Sequence, residues 1–523
     1  MRRSLCRSSW ALALAGTLSW CTGCGDDGAG PGDAGTDGPE PLFCGADIPS
    51  RVPFTLTRPD VGDPVPAAEV ADFTRKITGF WKDVGYFQWV LDTSHGVDPT
   101  TGMRDWMVWW TGVDVVKQAG EVTFSHSPNG GPDNIFIPTS RVLAQLSAGY
   151  MLTGDPTMGR IVEQYSKGLS ASMLGMVWDD TDPVRFIMAR AIIPNNHDVA
   201  LGDGRAKHID YTSWHQPTEA WNSHTIHVPT NPYWGDIWAK NMRSKDDVPH
   251  IYHATALLPY VVACGADATV RAAAAEALGL MQGFTRDIVD TGYHIRSKDE
   301  NGEIFVPDER YPDLDLSTFV KYEPLIPNAE CNAKLCSALI AYDDPKGNDC
   351  LDGFGGAYEQ VATRSHYYNV AIIRGFHVAA ILHALSHWES GHARGLLDGL
   401  VVRIDRDLDL PDADLPTNRE EWEADLAVYL TQAVAAGLPL TSREVRLIHR
   451  EYGQAVEAMV GFDRWNVWDP SVADGTFGYR PGNRVNIEDM AMVLEACWSP
   501  FRNEGGAMPV DCAVIADPAR WGT

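Results

Sequence analysis

Basic residues are scarce in this chain. It has 42 Lys and Arg against 70 Asp and Glu, a formal net charge of -28. That deficit excludes the basic surface on which nucleic-acid binding rests. It also disfavours polyanionic polysaccharides, unless a local basic cleft exists, and it suits solubility in an extracellular setting. Beyond the leader, no run is long and apolar enough to cross a membrane. The GxSxG elbow, the kinase set, HExxH and a phosphate-cradling glycine loop are all missing. With no CxxC pair in the mature domain, the strongest zinc signal is gone too.

What is present begins with an export leader. Arg2, Arg3 and Arg7 precede a short apolar core, Trp10 to Leu18, too short to span a bilayer as a mature helix. Cys21-Thr22-Gly23-Cys24 follows. It resembles the lipobox of bacterial lipoproteins, with Cys24 as the acylated residue and Cys21 where that family usually has Leu. Residues 1–23 thus read as a signal peptide, and the expected location is an outer membrane or cell surface, with a membrane held through lipid on Cys24. An ordinary secretory signal cut nearby is the alternative. Residues 24–41 hold Gly, Asp, Pro and Ala with almost nothing apolar, so they cannot offset their ordering entropy and form a flexible tether.

Residues 42–523 read as one domain, and at 44% hydrophobic the chain can build a large core. Cys264, in the apolar run VVACG, reads as a buried thiol. Oxidising conditions permit bridges among the others: Cys350 with Cys331 or Cys336, and Cys44 with Cys512 or Cys497, which would pin the chain ends together.

The domain's pattern is mostly helical. Val70, Phe73, Ile77, Phe80, Trp81 and Val84 recur at helix spacing. Val142, Leu143, Leu146 and Tyr150 form the next helix, and Met158 to Met173 its partner, across a Thr153-Gly154-Asp155-Pro156 turn. The same layout repeats from Tyr252 to Ile288 around Cys264-Gly265-Ala266-Asp267. It recurs from Cys331 to Leu385, and from Trp422 to Phe462 with capping-box spacing between Thr441 and Glu444. A last helix covers Ile487 to Ala496. Around Asn301-Gly302 the alternation predicts a minor β-hairpin.

Tyr150-x-x-Thr153-Gly154-Asp155 at a helix end, with a second helix following, resembles the hairpins of six-hairpin glycosidases and polysaccharide lyases. The resemblance covers one hairpin well and the others in pattern only. It implies an all-α fold, an (α/α) toroid of helical hairpins with long irregular loops, and a glycan as substrate. No family catalytic motif can be placed.

Tyr211 to His253 is the most aromatic stretch and reads as a long irregular loop. Trp214, Trp221, Tyr233, Trp234 and Trp238 suit stacking on sugar faces, although large aromatics also pack loops down. Three helix entrances put acid upstream of a proline: Asp133 before Pro138, Asp246 and Asp247 before Pro249, and Glu323 before Pro324. Glycoside hydrolysis needs two carboxyls across the scissile bond, one protonated. The expected pair is Asp246 or Asp247 with Asp133 or Glu323, and His250 joins them at the same entrance. The same aspartates could simply cap helices.

A second constellation is His366, Tyr367, Asn369, Arg374 and His377, of which His366, Asn369 and His377 share a helical face. These groups suit either substrate binding or β-elimination of a uronate; a polar inner helix is the structural alternative. His224-x-x-His227 has zinc spacing without further support. Asp405, Asp407 and Asp409, with Asp412 and Asp414, resemble an oxygen-ligand calcium loop without the EF-hand glycine. Hydrolysis requires no cofactor, and structural calcium is the ion these residues suggest most. The expected function is glycan cleavage by general acid–base hydrolysis. β-Elimination and non-catalytic glycan binding are the alternatives.

Overall fold

The computed structural model describes residue 58, most of 61–126, 136–178, parts of 182–240, 257–290, 296–305, most of 407–458, and 473–523 with short gaps. All of these belong to a unit spanning 42–523.

In chain order the helices are α1 (Ala67–Val84), α2 (Phe136–Thr153), α3 (Pro156–Leu174), α4 (Leu258–Cys264), α5 (Ala268–Asp290), α6 (Arg419–Ala435), α7 (Ser442–Ala458), α8 (Ile487–Met490), α9 (Met492–Trp498) and α10 (Cys512–Ile515). The hairpins expected at 136–174, 258–290 and 419–458 are present. The pair expected between Cys331 and Leu385 lies outside the described residues.

Their turns show why the chain reverses there. Gly154 adopts φ +67°, a conformation that costs glycine little. Asp155 Oδ1 then accepts the N–H groups of Thr157 and Met158 at 2.9 and 3.0 Å, with Pro156 at the first helical position. Asp267 caps α5 in the same way through Thr269, 2.7 Å from its N–H. Those bonds hold the Asp267 carboxyl below the usual carboxylate range. Glu444 Oε2 accepts the Thr441 N–H at 2.7 Å, while Thr441 Oγ1 accepts the Glu444 N–H at 3.2 Å, which is the expected capping box.

Tyr150 gives the Tyr-x-x-Thr-Gly-Asp phrase a physical basis. Its ring fills the space beside Gly159, where any Cβ would meet it, and lies beside Gly265, where a Cβ would first meet the Val261 carbonyl. Its hydroxyl accepts the Asp267 N–H at 2.8 Å, so one hairpin's last turn holds the next hairpin's turn.

Packing follows a definite order. α4 lies against α2, α2 against α9, and α9 against α6. α3 backs α2 and packs on α5, α7 backs α6, and α1 covers α7. Every residue from Thr139 to Tyr150 is buried, as is every residue from Leu426 to Ala435 and from Ala491 to Cys497. Helices α1, α5 and α7 instead alternate buried and exposed positions, as one-sided helices do.

Strand content exceeds the single hairpin expected, so the all-α description is corrected to mostly helical with added β-structure. The strands are β1 (His95–Gly96), β2 (Trp106–Met107), β3 (Val113–Gln118), β4 (Glu121–His126), β5 (Ala191–Pro194), β6 (Asp198–Ala200), β7 (Ala206–Asp210), β8 (Thr225–Asn231), β9 (Gly235–Lys240), β10 (Ser297–Lys298), β11 (Ile304–Phe305) and β12 (Gly475–Gly478). One five-stranded sheet runs β12-β3-β4-β7-β6 and a three-stranded sheet runs β5-β9-β8. Only β4 and β7 pair in parallel within them. β10 and β11 form the hairpin expected at Asn301-Gly302, with Gly302 at φ +77°.

Two cysteine expectations are corrected. Cys497 is bonded to Cys512, 15 residues on, which rules out Cys44 as partner of either. The shorter loop links α9 directly to α10. Cys264 is disulfide-bonded rather than a free thiol, and it is half-buried; its partner lies outside the described residues.

Candidate functional site

Because α2 and α3 run antiparallel, the start of α2 and the end of α3 lie at one end of their hairpin. Polar groups gather at both. In α2, Thr139, Ser140, Arg141 and Gln145 are all buried. Arg141 Nη1 donates to Asp489 Oδ1 at 3.0 Å, with side chains 7% and 3% exposed. Asp489 belongs to α8, so the pair joins the entrances of two helical segments far apart in sequence. A buried pair of this kind survives only with good geometry. Neither amide atom of Gln145 has a hydrogen-bond partner among the described residues.

The end of α3 anchors three strands and a hairpin. Ser172 accepts the Ala189 N–H through its carbonyl (2.9 Å) and donates its hydroxyl to the Ala189 carbonyl (2.7 Å), just before β5. Asn231, the last residue of β8, donates to the carbonyls of Leu174 and Val177 at 2.9 and 3.1 Å. From β10, Lys298 donates to Met176 O at 2.8 Å. It also pairs with Asp182 and sits 5.8 Å above the Trp178 ring. The Gly302 turn lies against that same indole, which leaves no room for a Cβ to approach freely.

The β8–β9 pair corrects the reading of Tyr211 to His253 as irregular throughout. Ile226 and Val228 alternate with exposed His227 and Pro229, and buried Ile237 and Ala239 flank Trp238. This is the period-2 pattern of a half-buried hairpin. Gly235 at φ +73° makes the return possible. On the exposed face, His227 Nε2 lies 2.5 Å from Asp236 Oδ1, and His227 is registered opposite Trp238. A carboxylate on Nε2 favours the Nε2–H tautomer. His–carboxylate couples of this type can move protons or bind hydroxyls. Tyr233 sits half-buried in the turn, its N–H donated to Asn231 Oδ1 at 2.9 Å. Nothing in the sequence pattern singled out the couple, because His227 and Asp236 are nine residues apart and meet only once the hairpin forms.

Of the other expected site residues, Asp133, Asp246, Asp247, His250, Glu323, Trp214, Trp221, Trp234, His366, Asn369 and Arg374 lie outside the described residues, as does Cys24. The same holds for Asp405, so the suggested calcium trio is not placed as a set. Asp407 is buried, its carbonyl accepting the Trp422 Nε1–H at 3.1 Å. Asp409 faces Arg443 at 2.9 Å and Asp412 faces Arg419 at 2.6 Å. Among the described residues no helix is long and apolar enough to cross a membrane.

No protein-family model, curated protein or solved structure matches the chain.

Proposed function

We propose that this protein is an exported, lipid-anchored enzyme that cleaves a glycan by general acid–base hydrolysis on an (α/α) toroid. The observation that supports this most is the order of helix packing. The first and second hairpins are neighbours through α2 and α4. The last unit is neighbour to the fourth through α9 and α6, and to the first through α9 and α2. A pair placed between the second and fourth would complete a cycle in chain order, which is how a toroid of hairpins closes.

On this reading the reaction takes place at the helix entrances. Asp246 or Asp247 with Asp133 or Glu323 supplies the protonated and ionised carboxyls, and the aromatics of the 211–253 segment hold the sugar rings. The His227–Asp236 couple, on the strand pair of that segment, binds hydroxyls beside them. The lipid on Cys24 keeps the enzyme at the membrane, and the substrate is an oligo- or polysaccharide.

A panel of neutral and acidic glycans incubated with the purified protein tests this. New reducing ends without unsaturated uronate are expected, and Asp246→Asn or Asp247→Asn should abolish them. If both variants retain full activity, the catalytic assignment fails. Products carrying the ultraviolet absorbance of an unsaturated uronate would instead mean elimination, with His366, Tyr367, Asn369 and Arg374 as the groups to mutate. Sugar binding without product from any glycan would mean a binding protein.

A further inference from the structure

The deficit of positive charge makes one place in the molecule unusual. Between α6, α7 and the segment before α6 lies a cleft of about 470 Å³ lined by Arg419, Arg443, Arg446 and Arg450. That volume is within the range of small-ligand sites, about 300–1,000 Å³. Leu408, Leu426, Leu447 and Trp422 supply apolar lining, and the acidic residues Asp407 and Glu423 complete it.

Arg443 has both Nη groups engaged, on Asp409 and on the Leu408 carbonyl, each at 2.9 Å, whereas the other three guanidiniums are oriented but not saturated. Arg419 uses Nε and one Nη on Asp412 and the Leu410 carbonyl. Arg450 uses Nε on Glu451 at 2.7 Å and one Nη on Glu423. Arg446 uses only Nε, on Glu69 at 3.3 Å. Both Nη groups of Arg446 and one each of Arg419 and Arg450 therefore have no partner among the described residues. An arginine carries five N–H donors in a planar fork that matches a carboxylate. Carboxylate partners, Glu423 at the cleft wall among them, hold the guanidinium planes, which lowers the entropy lost when a ligand binds.

We propose that this cleft is a binding site for a carboxylate-bearing saccharide, a uronate unit of a glycan chain, separate from the helix entrances. The guanidiniums take the carboxylate, and the aliphatic floor takes the C–H face of the ring. The unused guanidinium donors, rather than any net positive charge, are what let so acidic a protein hold an acidic glycan here. Naming the ligand a saccharide rests on the glycan reading above; the anion site itself does not.

Calorimetric titration of the full chain with tetragalacturonate, cellotetraose and citrate tests it. Tetragalacturonate should bind, weaken with added salt, and lose about tenfold or more in affinity in Arg446→Gln and in Arg450→Gln. Cellotetraose and citrate should bind far more weakly. Both variants should keep the parent's melting temperature; Arg446→Lys, which keeps the charge without the fork, should fall between. Absence of tetragalacturonate binding, binding unchanged in both Gln variants, or citrate bound as tightly would each overturn the proposal. Acidic-glycan binding lost in the Gln variants, with no glycan cleaved, would leave this site standing while the hydrolase reading fell. Cleavage of a neutral glycan without tetragalacturonate binding would do the reverse.

Discussion

Helices α2 and α7 come from similar sequence units yet live in opposite environments. α2 is buried on every face through Thr139 to Tyr150 and carries Arg141, Gln145 and Ser147 inside. α7 buries Val445, Ile448, Tyr452 and Val456 while Arg443, Arg446 and Arg450 stand in solvent. The same residue type therefore has different consequences in the two. An arginine on α7 keeps its hydration, and its ion pairs contribute little. Arg141 has given up its water, so its energy depends on partners such as the Asp489 carboxylate. A helix that keeps polar side chains in a place without water is held in one arrangement by them, whereas an amphipathic helix is held by its apolar stripe.

The sharpest way to break that contrast is Asp489→Ala. It removes the Asp489 carboxylate from the buried Arg141 charge, and a loss of about 3–5 kcal/mol is expected in denaturant unfolding. Replacing both residues together, with Arg141→Met and Asp489→Leu, should restore much of the loss, because an apolar pair has no desolvation penalty. A shift under about 1 kcal/mol for the single variant would show that water reaches the pair after all.

Next in size is the Cys497–Cys512 bridge, which ties the all-round-buried α9 to the terminal α10. Closing a loop of 15 residues is worth about 3 kcal/mol in the unfolded chain. Cys497→Ser with Cys512→Ser should lower stability by about that amount. An unchanged melting temperature on replacement would mean that α10 holds through packing alone.

The hairpins were legible in the sequence because their turns are local chemistry. Asp155 with Pro156, Asp267 with Thr269, and Thr441 with Glu444 each solve a helix-end problem within a few residues. The β-structure was not, because its pairings are distant. β12 joins β3 across more than 350 positions, and β7 reaches β4 in parallel. The β8–β9 hairpin was legible in principle. Ile226, Val228, Ile237 and Ala239 alternate plainly, but the tryptophans and histidines between them drew attention to chemistry instead of period. The polar interior of α2 was hidden for a different reason. Periodicity marks which face is apolar, and a helix buried on all faces has no such contrast. Of the site, Tyr233 and the strand carrying Trp238 are placed, and the His227–Asp236 couple emerges only from the register. The carboxyls at the three helix entrances lie outside the described residues.

The smallest expected effect sharpens the comparison from the α7 side. His449 is half-buried on α7, stacked on Phe73 of α1 at 4.1 Å between ring centroids. Its Nε2–H donates to the Pro509 carbonyl at 2.7 Å. Burial pulls its pKa below the ordinary histidine value, and Arg446 adds to the pull. The Pro509 carbonyl and Glu69 work against it. The folded protein thus binds this proton less readily than the unfolded chain does. The neutral ring's contribution is fully present above the unfolded value, about 6.5. It is lost as pH falls from there through the folded value. Stability measured in steps across that window should decline for the parent. In His449→Gln the part of the slope due to this group should vanish while the remaining acid sensitivity persists. Parallel curves for the two proteins would mean that water follows the ring into the α1–α7 contact, and that this outer contact is as wet as the arginines beside it.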